Sequence, residues 1–324
     1  MLSSHIVDTL LLAVRVRESF SAGNGGSLMQ KITNEYSQAV FNLPWLVAQE
    51  EGLFAVEGIE VEFLRARQWA ADRPPESDPT QVNPFWRHAP FEEQATASFN
   101  ACEWGQIRRS HDTTVGGRII NLRAAIACQS IFVRPGSPIT HPQALRQKTI
   151  AVNFHAGSHY LTLQLLEGFM ARDDIKVVHL GQAALRFQAM MHGTVDAAML
   201  MEPFIALAEK HGCHEIMEGF YVGSEMFAPT LERETAAALQ RALIKAVQLI
   251  NANKTQYLPH LIADVPPELG TLTPADFRLS RLRYVEPRPY PVEEFERTYH
   301  WMRSWGLVPE GATYESLVDN RVGV

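Results

Sequence analysis

Residues 149–212 read TIAVNFHAGSHYLTLQLLEGFMARDDIKVVHLGQAALRFQAMMHGTVDAAMLMEPFIALAEKHG, and the parsing of this stretch decides the fold. TIAVNF (149–154) has the apolar run of a buried strand, and AGSHYLTLQLLEGFM (156–170) follows as a helix opened by small residues. IKVVHLG (175–181) and QAALRFQAMMHG (182–193) repeat that pair. VDAAMLMEPF (195–204) is a third strand running into a turn, and FIALAEKHG (204–212) is a third helix. A strand, turn and helix recurring at this length builds parallel strands with crossover helices, compact enough from 131 to 221 for one lobe.

Outward on the amino-terminal side, EYSQAVFNLPWLVAQEEGLFAVEGIEVEFLRA (35–66) predicts a strand or turn, then a helix with Leu43, Leu46, Val47 and Phe54 at helical spacing. IEVEFL (59–64) alternates as a strand does, and Gly52 and Gly58 punctuate the passage. Residues 66–92, rich in proline and charge, read either as a surface loop with a small helix or as a lid that folds Trp69, Phe85, Trp86 and His88 over a cleft. On the carboxyl-terminal side, residues 230–262 predict one long amphipathic helix starting near Thr230 or Glu232. LTPADFRLSRLRY (272–284) and PVEEFERTYHWMRSWG (291–306) predict two more.

A chain of 324 residues exceeds what one hydrophobic core usually fills, so two lobes are expected. A net charge of −7 and a pI near 6.0 argue against nucleic acid or an anionic membrane as the main partner, although a local patch can oppose the global sign. Cys102, Cys128 and Cys213 are odd in number and widely spaced, which gives neither a disulfide framework nor a zinc site. At the amino terminus the apolar run Leu10–Val14 follows Asp8 and precedes Arg15 and Arg17, the wrong order of charge for a secretory signal. A cytoplasmic protein is expected, periplasmic if this segment is a cryptic signal. Residues 1–29 are expected to be a flexible extension, with Met29 an alternative start. No stretch reaches the roughly 20 apolar residues that span a bilayer, so no membrane insertion is expected.

The pieces LPWLVAQEEGLFAVEGIEVEF (43–63), SIFVRPGSPITHPQALRQKTIAV (130–152), GSHYLTLQLLEG (157–168) and LGQAALRFQAMMHGTVDAAMLMEPF (180–204) resemble, in that order, the solute-binding proteins for sulfonates, nitrate and thiamine pyrimidines. That superfamily has the type II periplasmic-binding-protein fold and includes desulfinase and pyrimidine-synthase enzymes. The resemblance runs from about Glu35 to about Asn253. It implies an α/β protein of two lobes joined by a two-strand hinge, with a ligand cleft between them. Lobe one would hold residues 30–130 plus 223–324, and lobe two 131–222.

NFHAGSHY (153–160) leaves a strand and opens a helix, where backbone N–H groups from Gly157 to His159 can receive an anionic or carbonyl group. Ser158 and His159 add donors, the resemblance implies that this turn contacts the ligand, and His155 and Tyr160 flank it. The plainer reading is an N-cap by Ser158. Glu202, turned by Pro203, is a candidate for an amine or ring nitrogen, or for a plain ion pair or helix cap. Asn42 stands at the mouth of the first helix, with Phe41 and Trp45 as stacking surfaces or core.

FNACEWGQIRR (99–109) puts Cys102, Glu103 and Trp104 where the resemblance runs a strand toward the cleft. Cys102 near Arg108 or Arg109 could act as nucleophile or acid, with Glu103 as partner base, or be a small buried hydrophobe. As catalytic residues Cys102, Glu103 and His159 are expected. As ligand-binding residues Asn42, Trp104, His155, Gly157, Ser158, Tyr160 and Glu202 are expected.

No phosphate-binding, dinucleotide or metalloprotease motif is present, and His155 with His159 lacks a third ligand, so neither cofactor nor metal is expected. Two functions follow. One is a non-exported enzyme making a lyase, decarboxylase or desulfinase type of step on a small organic ligand, anionic or aromatic. The other is the substrate-binding subunit of an importer, which meets an ABC permease only if exported. A ligand sensor is a third.

Overall fold

A computed structural model describes residues 29–320, so the expected extension over 1–29 lies outside the described residues except for Met29. The chain runs β1 (Gln30–Tyr36), α1 (Ala39–Glu50), α2 (Leu53–Val56), β2 (Ile59–Arg65), α3 (Ala89–Glu92), β3 (Ser98–Cys102), α4 (Glu103–Asp112) and β4 (Arg118–Val133). It continues through β5 (Thr149–Val152), α5 (Gly157–Leu166), β6 (Lys176–His179), α6 (Ala183–Met191), β7 (Ala197–Met201), α7 (Phe204–Lys210) and β8 (His214–Phe227). The last elements are α8 (Arg233–Ala252), α9 (Leu258–Ile262), β9 (Arg283–Tyr284), α10 (Val292–Ser304) and α11 (Tyr314–Leu317).

Both βαβ readings hold. β1 pairs parallel with β2, and β5 pairs parallel with β6 and β7, in a sheet of order β2-β1-β3-β8-β4-β7-β5-β6 with β9 on β4. The antiparallel pair β4 and β8 joins the halves. β8 pairs with β3 from Ser98 to Cys102, while β4 pairs with β7 from Gln129 to Phe132, so the two long strands run from one lobe into the other. Between Leu122 and Ile126 the register of β4 on β8 shifts, and there Ala125 and Ile126 also pair with β9. Such an irregularity re-aims a side chain, and Arg123 lies within it.

The core fills both sides of the sheet. Ala238, Ala242 and Ala246 of α8 are buried and small enough to let its axis approach the sheet and α1, while Leu239, Leu243 and Val247 fill the gaps. Around α4, α5 and α10 the cluster is more aromatic, with Trp104, Phe154, Tyr160, Tyr290 and Phe295.

Three expectations on element boundaries are corrected. The long helix ends at Ala252, and Leu258–Ile262 is a separate helix headed by Pro259, which has no N–H to continue the preceding one. FNACEWG is not a strand throughout, because β3 stops at Cys102 and Glu103 already begins α4. The helix expected over 272–284 is absent: two 3₁₀ turns, Pro274–Asp276 and Leu279–Arg281, lead into β9. Long-range pairing overrides the local pattern here. Arg281 is buried and reaches Glu209 at 3.0 Å, Glu215 at 2.5 Å and Glu218 at 2.6 Å, while the next residues join β4.

Arg281 therefore pins the arm that supports β4 beside Arg123. Arg281→Ala leaves Glu215 and Glu218 without their cation and Glu209 with only the exposed Arg278, and a loss of about 3 kcal/mol in unfolding free energy is expected in urea, at the low end for a broken buried pair because the glutamates are partly exposed. A change under about 0.5 kcal/mol would contradict this assignment.

Candidate functional site

Four strands end and four helices begin around one crevice. β1 leads to α1, β3 to α4, β5 to α5 and β6 to α6, so each helix starts just beyond the carboxyl end of a strand. That is where an open α/β sheet leaves room for a ligand, and the helix starts give it a positive potential. The crevice holds a small, half-open cavity with about 50 Å³ of space for water-sized molecules. Ala156, Gly157 and Ser158 bring the start of α5 to its wall, Gln182 and Ala183 bring that of α6, and Ser37, Gln38 and Phe41 bring that of α1. At α1 the position is already taken, since the Ala39 N–H donates to the Asp264 carboxylate at 2.6 Å.

Three buried arginines line the cavity: Arg87, Arg123 and Arg186. Each is fixed by neutral acceptors. Arg87 donates to the Ser37 carbonyl at 2.9 Å. Arg123 donates to the Ala125 carbonyl at 3.0 Å and to Asn100 Oδ1 at 3.3 Å, and its guanidinium lies over the Phe41 ring at 4.4 Å. Arg186 donates to the carbonyls of Met199 and Gly181. One terminal nitrogen of Arg123 and one of Arg186 have no protein partner, and among the described residues no carboxylate lies within 4.0 Å of any of the three guanidiniums. Burial, reinforced by the charge of Arg87, lowers the pKa of Arg186 to about 9.

The nearby acids are buried in their own right. Glu35 meets His88 Nδ1 at 2.5 Å; burial, opposed by Arg87 and Arg109, raises its carboxyl to about 8, while burial holds the His88 imidazole well below its usual value. Glu225 accepts from Trp45 Nε1 at 2.9 Å and is raised to about 7 by burial. Amides of Asn100, Gln129, Asn153 and Gln182 supply neutral donors around the wall, with Gln129 donating to Tyr221 Oη at 3.0 Å.

The 66–92 segment is a strap against lobe two that ends in the short helix α3, and of the four residues named in its lid reading only His88 lines the cavity. Glu76 and His179 exchange two backbone hydrogen bonds, Trp69 and Gln182 exchange two more between backbone and side-chain amide, and Trp86 Nε1 donates to Asn153 Oδ1. Trp69 sits edge-on to His179 with centroids 4.2 Å apart. Gly181 has φ +64°, and an added Cβ there would meet Trp69 Cβ at 2.4 Å, so only glycine lets the strap lie this close. Gly157 is equally constrained, because a Cβ would fall 2.1 Å from Tyr221 Oη.

Of the residues expected from sequence, the cavity gathers Cys102, Gly157 and Ser158. The others stand elsewhere. Glu103 turns toward Tyr290 Oη at 3.4 Å and cannot serve Cys102 as a base. The lowered pKa expected for Cys102 is corrected: burial outweighs Arg109 and pushes the thiol up to about 11, and its sulfur caps α4 by accepting from the Gly105 N–H at 3.3 Å.

His159 is buried behind the turn against Phe154 and Tyr160, and burial lowers it to about 3, so it is a neutral packing group rather than a catalyst. Its backbone N–H donates to Ala156 and is not offered to a ligand. His155 donates from Nε2 to the Pro79 carbonyl at 2.9 Å, tying the turn to the strap. Asn42 accepts from Ser37 and Gln38 and closes the start of α1. Trp104 and Tyr160 are core, and Glu202 accepts from the Ala206 N–H at 3.1 Å as a helix cap. Ser158 Oγ accepts from the Asn153 N–H at 2.8 Å, so its hydroxyl shapes the turn at the wall.

The arginines are what the sequence reading misses. A signal was present: Arg123 is the one charge in the otherwise uncharged run IINLRAAIACQSIFV, and Arg186 interrupts the apolar start of a helix.

Among the described residues no group of three His, Cys, Asp or Glu side chains could hold a metal, and no helix is long and apolar enough to cross a membrane.

No family model matches the sequence, and no curated protein matches it. Solved structures do. The alkanesulfonate-binding protein SsuA from Xanthomonas axonopodis pv. citri, bound to MOPS, is similar at TM-score 0.70 and 14% identity over 89% of this chain and 98% of its own. A Candida albicans protein described as having the generic periplasmic binding protein structural fold is similar at TM-score 0.66 and 11% identity over 90% and 96%. The desulfurization enzyme DszB is similar at TM-score 0.58 and 16% identity over 89% and 96%, and a variant of it is solved with biphenyl-2-sulfinic acid. With its βα lobes, its β4 and β8 connection and its crevice, this chain has the two-lobed periplasmic-binding-protein fold.

Proposed function

We propose that this chain captures a small organic anion between its two lobes. The observation that carries the reading is the set of buried guanidiniums of Arg87, Arg123 and Arg186, which open on one cavity without a carboxylate partner. Guanidinium groups in a fixed fork suit the oxygens of a sulfonate, sulfinate, carboxylate or phosphate. The starts of α5 and α6 add dipoles of the same sign, and Phe41, Met201 and Tyr221 offer an apolar wall for the ligand body. The likeness in fold to an alkanesulfonate-binding protein and to DszB supports organosulfur acids as the first class to test.

A second reading, turnover by a lyase- or desulfinase-type step, rests on the Cys102 thiol in the cavity wall. Capture is preferred because that thiol stays protonated at neutral pH and Glu103 faces Tyr290. Capture for import further requires an ABC permease and export of the chain, which fractionation of a tagged protein would reveal.

Titration calorimetry with methanesulfonate and aromatic sulfinates tests the reading. Arg186→Gln is expected to weaken binding by about 2–4 kcal/mol, roughly 30- to 1000-fold, as for loss of one partner in a buried charged contact. Cys102→Ala should bind within about threefold of the parent. Equal binding by parent and Arg186→Gln would remove the arginines from the site; product formation that disappears in Cys102→Ala would favour turnover.

Affinity also depends on Glu35, which faces His88, Arg87 and Arg109. With its carboxyl at about 8 it is neutral at pH 7; above that it ionises, engages the arginines and repels a bound anion. Binding is expected to be level from about pH 6 to 7 and to fall above about pH 8, and Glu35→Gln should move the fall up toward pH 9, where Arg186 loses its charge. Affinity rising with pH would contradict this.

A further inference from the structure

We propose that His179 is a positioning residue for the anion site, its imidazole Nδ1 holding the turn between β5 and α5 in the shape that presents the Gly157 and Ser158 N–H groups to the cavity. The inference rests on the anion-capture reading of that cavity and adds the group that keeps one wall in place. Helix α5 begins without a side-chain cap, because its N-cap residue is Ala156. Gly157 and Ser158 line the cavity, and among the described residues neither of their N–H groups has a protein acceptor.

The three N–H groups of residues 153–155, by contrast, are all taken by side chains. Asn153 donates to Ser158 Oγ at 2.8 Å, Phe154 to His179 Nδ1 at 2.9 Å, and His155 to His159 Nδ1 at 3.4 Å. His155 has φ +59°, a conformation a side-chain-bearing residue keeps only where its surroundings impose it. Ser158 and His159 belong to α5 itself, so the bond from His179 is the one that fixes the turn from outside.

His179 is well placed for this. It ends β6 opposite Val152, the last residue of β5. The strap grips it through the two backbone bonds to Glu76, and Trp69 and Trp86 stand edge-on to its ring at 4.2 and 5.3 Å. A backbone N–H can only donate, so Nδ1 is bare and the ring proton sits on Nε2. Burial, reinforced by the charge of Arg186, lowers the imidazole to about 3 and keeps it neutral.

Two substitutions separate the acceptor from the ring. His179→Asn keeps an acceptor oxygen where Nδ1 stands and loses the ring; His179→Phe keeps a ring against the tryptophans and loses the acceptor. In calorimetry with methanesulfonate at pH 7 on the full-length protein, His179→Asn is expected to bind at least about tenfold more tightly than His179→Phe. Without ligand, amide exchange at Phe154, measured relative to the rest of β5, is expected to be at least about tenfold faster in His179→Phe than in His179→Asn. The reverse order in either measurement, or no difference in both, would assign His179 to packing and overturn the proposal. In the parent protein, imidazole 15N shifts should show a bare Nδ1; a proton there would overturn the proposal whether or not the variants fold. Failure of the parent to bind methanesulfonate, with the exchange pattern as expected, would overturn the capture reading and leave His179 as the holder of the turn.

Discussion

A guanidinium keeps its charge at neutral pH, so an arginine enclosed in a protein has to be given acceptors. Arg87, Arg123 and Arg186 are given carbonyls and amides, which hold their planes in place but cancel none of their charge. Buried carboxylates would complete them in an ordinary core. Here Glu35 and Glu225 are themselves committed to His88 and Trp45, and Asp264, which faces Arg87, caps α1. On the capture reading, an anionic guest supplies the remaining balance.

The scaffold enforces this arrangement through its connections. Parallel strands deliver helix starts to one rim, and the two long antiparallel strands carry Arg123 from one lobe to the other at a point where their pairing is broken. The strap lays Trp69 on Gly181 and brings Arg87 and His88 to the cavity wall. Gln182 takes part in both, holding the backbone of Trp69 while lining the cavity, so the strap and the wall of the site share one side chain.

The βα repeats were legible because each strand and helix shows its own period and is bounded by turn residues. The antiparallel arm was not. β8 reads as HEIMEGFYVGSEMF, a mixed run whose burial changes along its length as it passes from one lobe to the other, so no single alternation marks it. Residues 272–284 looked helical because Ala275, Leu279 and Leu282 recur at i, i+4 and i+7, yet Arg281 and its three glutamates set the backbone. The site was partly legible: the turn after β5 and the end of β3 do reach the cavity, through Gly157, Ser158 and Cys102. Histidines and carboxylates drew attention as reactive groups, whereas the charged groups lining the cavity are arginines, hinted at in sequence only by their apolar surroundings. Their meaning comes from burial, which a single sequence does not display.

These features favour a protein that holds its ligand over one that transforms it, since the reactive candidates are either protonated, as Cys102 is, or turned away, as Glu103 is. The most direct test is a crystal structure grown with a bromine-bearing alkanesulfonate, with the bromine located by anomalous scattering. The expected result is a sulfonate in hydrogen-bond contact with at least two of Arg87, Arg123 and Arg186. A fully occupied ligand elsewhere on the molecule, touching none of the three, would contradict the account.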